Sequence, residues 1–364
     1  MREHIPQLDG VRGVAILVVL AHNLHGFTSP PFSSLTRFGW MGVDLFFVLS
    51  GFLITGILLD TKSSKNYFRN FYARRSLRIW PLYYSILVLM FVAVPLIRPQ
   101  NAAEIFHRSQ PWWSYPFFLQ NFLVGEPSAS AGPLGVTWSL AVEELFYLGW
   151  PLFVRFFSAK WLQTVAWMVL LFSPLLRLYF VSRHWLVYSS PFCRADGIMA
   201  GVLLALLVRK SDFLPGRWIV PAWTAFLAAG PLAIAAEIGR AGWLAYSMDI
   251  IAFTGFVYVA MYSRSVWWKA CMTNRFLMFT GTISYGLYLL HKLPDDVFKE
   301  TGLLATHPHV SFWVAVTLSY LLAIASWNLL EKPFLRLKGR FENATPRTDA
   351  APVSLSSAQD SEAT

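Results

Sequence analysis

Ten ionisable side chains stand in or at the ends of apolar runs: Arg12, His22, Asp44, Glu143, Glu144, Arg177, Arg194, Asp196, Asp249 and His291. Ser50, Ser139 and Ser284 add hydroxyls in similar surroundings. Ionisable groups are costly in such runs and mark function more often than they do in soluble cores. His22 has the type for general-base work on a hydroxyl, since imidazole titrates near working pH. On position alone it reads equally as a helix-packing histidine. Glu143 is placed to orient or charge-stabilise that imidazole, or to pair with Arg177 or Arg194. Arg75 and Arg78, three residues apart, share one helix face, and guanidinium forks match phosphate oxygens. The bland alternative is a basic boundary touching anionic lipid. Arg12 and His22 are ten residues apart, about 15 Å of helix rise. A donor with phosphates at one end and a reactive carbonyl at the other spans that gap. The chemistry is then acyl transfer to a hydroxyl, which needs a base and charge stabilisation for an oxyanion.

Around this pair, Asp44, Trp138, Ser139 and His291 are candidates for the acceptor side. Asp44 also reads as the buried partner of an arginine, and His25 and His291 as structural. Asp9 reads as a helix cap or the partner of a nearby cation. Ser50 and Ser139 were weighed as covalent nucleophiles, but neither lies in a Gly-x-Ser-x-Gly elbow. There is no His-Glu-x-x-His, no Cys-x-x-Cys and no Walker loop, so no metal is expected.

Helices in a membrane must position these groups. The 364 residues are 55% hydrophobic and only 14% charged, with a mean hydropathy of +0.47. A soluble domain carries about 25% charged residues. Aromatics reach 16%, which suits two lipid–water interfaces. The net charge of +10 lies in short loops between apolar runs, where it sets orientation and does not indicate nucleic acid. Two cysteines, Cys193 and Cys271, make no disulfide framework.

Ten stretches are long enough to span: Val11–Phe27, Met41–Asp60, Trp80–Ile97, Trp138–Phe157, Thr164–Val181, Tyr188–Val208, Trp218–Glu237, Trp243–Ser263, Phe276–His291 and Ser311–Leu330. The segment Trp112–Leu123, broken by Pro116, reads as re-entrant or interfacial. Lys and Arg crowd the loops near Lys62–Arg78, Arg155–Lys160, Arg209–Arg217, Arg264–Arg275 and Lys332–Arg340. That bias places these loops and both termini in the cytoplasm. The expected fold is an all-α polytopic membrane protein of about ten transmembrane helices. A transmembrane domain covers residues 1–340, and a disordered cytoplasmic tail covers 341–364. No cleavable signal peptide is expected, and the first apolar run is read as a retained helix.

The ordered motifs resemble the membrane acyltransferase-3 family. They are Leu8–Ala15 (Leu-Asp-Gly-Val-Arg-Gly-Val-Ala) followed by His22, then Gly42–Ile54 (Gly-Val-Asp-Leu-Phe-Phe-Val-Leu-Ser-Gly-Phe-Leu-Ile). Phe71–Pro81 follows, with Arg75 and Arg78, then Trp138-Ser139-Leu140 ahead of Glu143, Glu144 and Phe146-Tyr147. Arg194 with Asp196-Gly197, Ser284-Tyr285 with His291, and Glu331-Lys332-Pro333 complete the set. The resemblance runs to about Arg340. It implies an acyl-CoA-dependent O-acyltransferase, acetyl-CoA being the default donor, acting on a glycan, glycolipid or small-molecule hydroxyl. It implies His22 as the catalytic histidine, Arg12 as its upstream basic partner and Arg75 and Arg78 as the pair that contacts CoA. Nine residues separate Arg12 from His22, where the family commonly has ten; one residue turns a helical partner by about 100°. Many members carry a further C-terminal esterase-like domain, for which this chain stops too soon. The implied location is a bacterial inner membrane. A proton-coupled transporter or flippase using His22, Asp44 and Glu143 is the alternative; a non-catalytic scaffold fits the buried charges poorly.

Overall fold

The computed structural model describes residues 5–24, 36–98, 111–122, 132–210, 212–239, 241–294 and 308–341. His25 and the tail beyond Phe341 lie outside these residues. Helices carry nearly all of the described chain. They are α1 (Pro6–Asn23), α2 (Gly42–Asp60), α3 (Tyr67–Val88), α4 (Thr137–Phe156), α5 (Ala159–Ser182) and α6 (Pro191–Leu207). There follow α7 (Pro215–Ile238), α8 (Gly242–Tyr262), α9 (Arg275–Thr282), α10 (Ser284–Leu290) and α11 (Pro308–Ser326). The described residues of the ten apolar stretches are mostly helical. Among the described residues, six helical segments are long and apolar enough to cross a membrane. The described part of Trp112–Leu123 is a 3-10 turn, Trp112–Phe117, with no α-helix.

Two differences from the sequence reading have local causes. The helix expected from Trp80 begins at Tyr67, because Arg69, Arg74, Arg75 and Arg78 are good helix formers that continue the apolar run. The stretch Phe276–His291 is two helices meeting at Ile283. There Thr282 Oγ1 donates back to the Met278 carbonyl at 2.8 Å, a contact that bends helices.

Burial follows the layers. α5 and α7 bury little and turn large apolar side chains outward, among them Leu171, Phe172, Leu175, Val220 and Leu227. Water would not tolerate that belt, but lipid does. The α2–α6 pair forms the centre, crossing where glycines let backbones touch. A Cβ on Gly51 would lie 1.9 Å from the Ile198 carbonyl oxygen, and one on Gly201 would lie 2.1 Å from that of Val48. This is the small-residue packing that brings membrane helices close. α1 lies against α2 and α9.

Candidate active site

A cavity of about 110 Å³ lies among α1, α2, α3, α4 and α10. On α2 its lining runs from Val43 to Leu53, ten residues or about 15 Å of rise. Arg12, Arg75 and Arg78 all line it, from two different helices. The nine-residue spacing therefore leaves Arg12 facing the same space as the other two arginines. Asp9 holds the Arg12 guanidinium at 2.7 Å, the pairing alternative for that aspartate, and the α1 N-cap is Ile5 without a side-chain cap. The Arg75 guanidinium stands 5.0 Å from the Tyr147 ring centroid. Three cations on one wall favour an anionic ligand.

Ser50, Glu143 and Tyr147 form the middle of the cavity. Ser50 Oγ donates to Glu143 Oε1 at 2.6 Å. The Tyr147 hydroxyl lies 3.1 Å from both Glu143 Oε2 and Ser50 Oγ. Glu143 and Tyr147 are four residues apart and share a face of α4. Neither Arg177 nor Arg194 pairs with Glu143. Arg177 binds Asp196 at 2.6 Å and Arg194 binds Asp44 at 2.6 Å.

At the far end stand Val43, Ser139 and Tyr288. Ser139 Oγ and the Tyr288 hydroxyl are 2.5 Å apart, and the Tyr288 hydroxyl also donates to the Val136 carbonyl at 3.0 Å. His291 follows Tyr288 by one turn, fully buried, and its Nδ1–H donates to the Tyr288 carbonyl at 2.8 Å.

His22 is not on the cavity wall. It lies at the end of α1, beside Gly39, where an added Cβ would fall 2.7 Å from His22 Cβ. Gly39 lies in the 3-10 turn Gly39–Met41 that leads into α2, four residues before Val43 at the cavity's end. His22 Nδ1–H donates to the Thr36 carbonyl at 3.1 Å. That bond sets the tautomer with Nε2 as the basic nitrogen. The expected orienting carboxylate, Glu143, is elsewhere. Its partner Ser50 lies eight residues into α2 from Gly42, about 12 Å of rise beyond the turn that holds Gly39. The Thr36 carbonyl holds this imidazole at Nδ1, while Glu143 is bonded to Ser50 and Tyr147.

Asp44 and Trp138 belong to a neighbouring buried cluster. Asp44 and Arg194 are each 1% exposed. The Arg194 guanidinium is ringed by Tyr246 at 4.2 Å, Trp138 at 5.5 Å, Tyr188 at 5.6 Å and Trp40 at 5.7 Å. Cation–π attraction replaces hydrogen bonds for Nε and Nη1, which have none. Among the described residues no group of three His, Cys, Asp or Glu is arranged to hold a metal ion.

Tyr147, present in the sequence motifs only as part of Phe146-Tyr147, and Tyr288 are cavity hydroxyls to which sequence reasoning assigned no role. Their signal is positional: Tyr147 follows Glu143 by four, and Tyr288 follows Ser284 by four and precedes His291 by three.

The described residues thus form a bundle of apolar helices around a cationic cavity. Residues 5–330 match the acyltransferase domain family across nearly the whole chain, and the protein belongs to that family. It is 28% identical to the peptidoglycan O-acetyltransferase OatA of Listeria monocytogenes, over 91% of this chain and 56% of that protein. It is 29% identical to the putative peptidoglycan O-acetyltransferase YrhL of Bacillus subtilis, over 92% of this chain and 55% of that protein. A putative O-acetyltransferase of Staphylococcus aureus is 26% identical over 91% of this chain and 57% of its own length. The chain thus spans a little over half the length of these relatives. No solved structure matches.

Proposed function

We propose that this protein transfers an acetyl group from cytosolic acetyl-CoA to a carbohydrate hydroxyl at the outer face of a bacterial inner membrane. Support comes from one observation above the rest. Three guanidiniums line a cavity whose far end, at Val43, is four residues from Gly39, the glycine packed on His22. CoA phosphates rest on Arg12, Arg75 and Arg78, and the arm runs up the cavity past Ser50, Glu143 and Tyr147. The thioester then lies at the Ser139 and Tyr288 end. An acceptor hydroxyl enters between thioester and His22, within hydrogen-bond reach of the imidazole. His22 Nε2 takes the hydroxyl proton, the oxygen attacks the thioester carbon, the C–S bond breaks and the thiolate recovers a proton. Glu143 serves the donor: it fixes Ser50 and Tyr147 on the wall. His291 and Ser139 lie toward the acceptor, while Asp44 and Trp138 act at one remove by building the Arg194 cluster. Names of the relatives make peptidoglycan-type glycan the first acceptor to try.

The test uses the full chain in lipid nanodiscs with labelled acetyl-CoA and glycan fragments. Release of CoA together with label on the glycan supports the reading. Acetyl-CoA left intact with every acceptor, alongside glycan uptake into sealed vesicles, would replace it with transport.

A further inference from the structure

The cavity ends on two hydroxyls that the acid–base residues leave unassigned. Ser139 Oγ and the Tyr288 hydroxyl touch at 2.5 Å, Ser139 being only 5% exposed. They come from different helices, α4 and α10, and both face the cavity. Tyr288 is held in place. Its ring lies edge-on to Phe46, with centroids 6.4 Å apart, and its hydroxyl reaches the Val136 carbonyl at 3.0 Å. Val136 ends the 3-10 turn that leads into α4, so its carbonyl stands at a helix start, where a donor can leave it for a stronger acceptor.

Acyl transfer from a thioester builds negative charge on the carbonyl oxygen as the acceptor adds. Donors aimed at that oxygen in a water-poor site are usually the largest single contribution to the rate. His22 cannot supply this, because it takes the acceptor's proton. The guanidiniums are occupied by phosphate at the other end. We infer that Tyr288, with Ser139 behind it, donates the hydrogen bond that stabilises the tetrahedral oxyanion, which makes Tyr288 a catalytic residue. This rests on the acyl-transfer reading above. As the acceptor O–C bond forms, the Tyr288 proton turns from Val136 to the oxyanion, and Ser139 Oγ–H donates to the Tyr288 oxygen and sharpens its donation. The C–S bond then breaks, the carbonyl reforms, and Tyr288 returns to Val136. Both hydroxyls keep their protons throughout, so neither is acylated.

The experiment measures kcat and KM for acetyl-CoA in nanodiscs for wild type, Tyr288→Phe and Ser139→Ala, each checked for monodispersity. Tyr288→Phe keeps the ring on Phe46 and loses only the donor. Its kcat should fall about 10²–10³-fold with KM within threefold, in the range for loss of one oxyanion donor. Ser139→Ala should fall less. A second measurement replaces Tyr288 with fluorotyrosines of rising phenol acidity, and kcat should rise along the series relative to the unsubstituted residue. A kcat for Tyr288→Phe within twofold of wild type, or a flat fluorotyrosine series, would overturn the inference while leaving acyl transfer intact. A wild type that releases no CoA in the presence of any acceptor would instead overturn the transfer reading beneath it.

Discussion

Replacing Asp44 alone should cost far more than replacing Asp44 and Arg194 together. The two side chains are 1% exposed and 2.6 Å apart, and the guanidinium has no solvent to turn to. Removing the carboxylate leaves a buried cation among aromatic faces, with the buried Asp249 carboxyl as its remaining acidic neighbour. Breaking a buried pair in this way costs about 3–5 kcal/mol. At about 2–4 °C per kcal/mol, Asp44→Ala should lower the thermal midpoint by about 6–20 °C. The double change Asp44→Leu with Arg194→Met removes both charges and refills the space, and should recover most of that loss. Thermal unfolding of detergent-purified protein, followed by size-exclusion fluorescence, gives all three midpoints. If the single and double variants melt within 2 °C of each other, the pair is not the electrostatic unit described. If Asp44→Ala melts like wild type while acceptor affinity collapses, Asp44 contacts substrate directly.

Other outcomes follow from the same geometry. Arg75→Ala and Arg78→Ala should each raise the KM for acetyl-CoA about 10–100-fold with little change in kcat, since a charge-assisted contact contributes about 1.5–3 kcal/mol; a titration with CoA reads this directly. Ser50→Ala should retain transfer within about fivefold, because Tyr147 still donates to Glu143 at 3.1 Å; loss of all turnover together with a trapped acyl group on Ser50 of the wild type would show a covalent route. Gly51→Val should prevent accumulation of folded protein, since even a Cβ there meets the Ile198 carbonyl oxygen at 1.9 Å; Gly149→Ala, with nothing within 4 Å, is its control. Expression as a monodisperse fluorescent fusion separates the two.

The helices were legible because lipid demands long apolar runs, and Arg12, Arg75 and Arg78 were legible as a group because their residue type and face suit one anion. What the sequence could not supply is partner choice across helices. By chemistry Glu143 was a sensible partner for either Arg177 or Arg194. Packing instead delivered Glu143 to Ser50 and Tyr147, Arg194 to Asp44 and Arg177 to Asp196. The depth of each group along its helix decides this, and depth depends on where backbones cross, as at Gly51 and Gly201. His22 shows the same limit. Its place at the end of α1 was readable, but the Thr36 carbonyl that orients it belongs to the segment that leads back into α2. Backbone acceptors leave no mark in residue type. The Arg194 aromatic ring was hidden for a related reason, since Trp40, Trp138, Tyr188 and Tyr246 come from four separate stretches.

The central claim is acetyl transfer through His22. The most direct measurement incubates nanodiscs holding wild type or His22→Ala with acetyl-labelled acetyl-CoA and peptidoglycan-type glycan, and follows label on the glycan. Label should reach the glycan with wild type and fall by about 10²–10⁴-fold with His22→Ala, the range for loss of a positioned general base. Equal labelling by both proteins would contradict it.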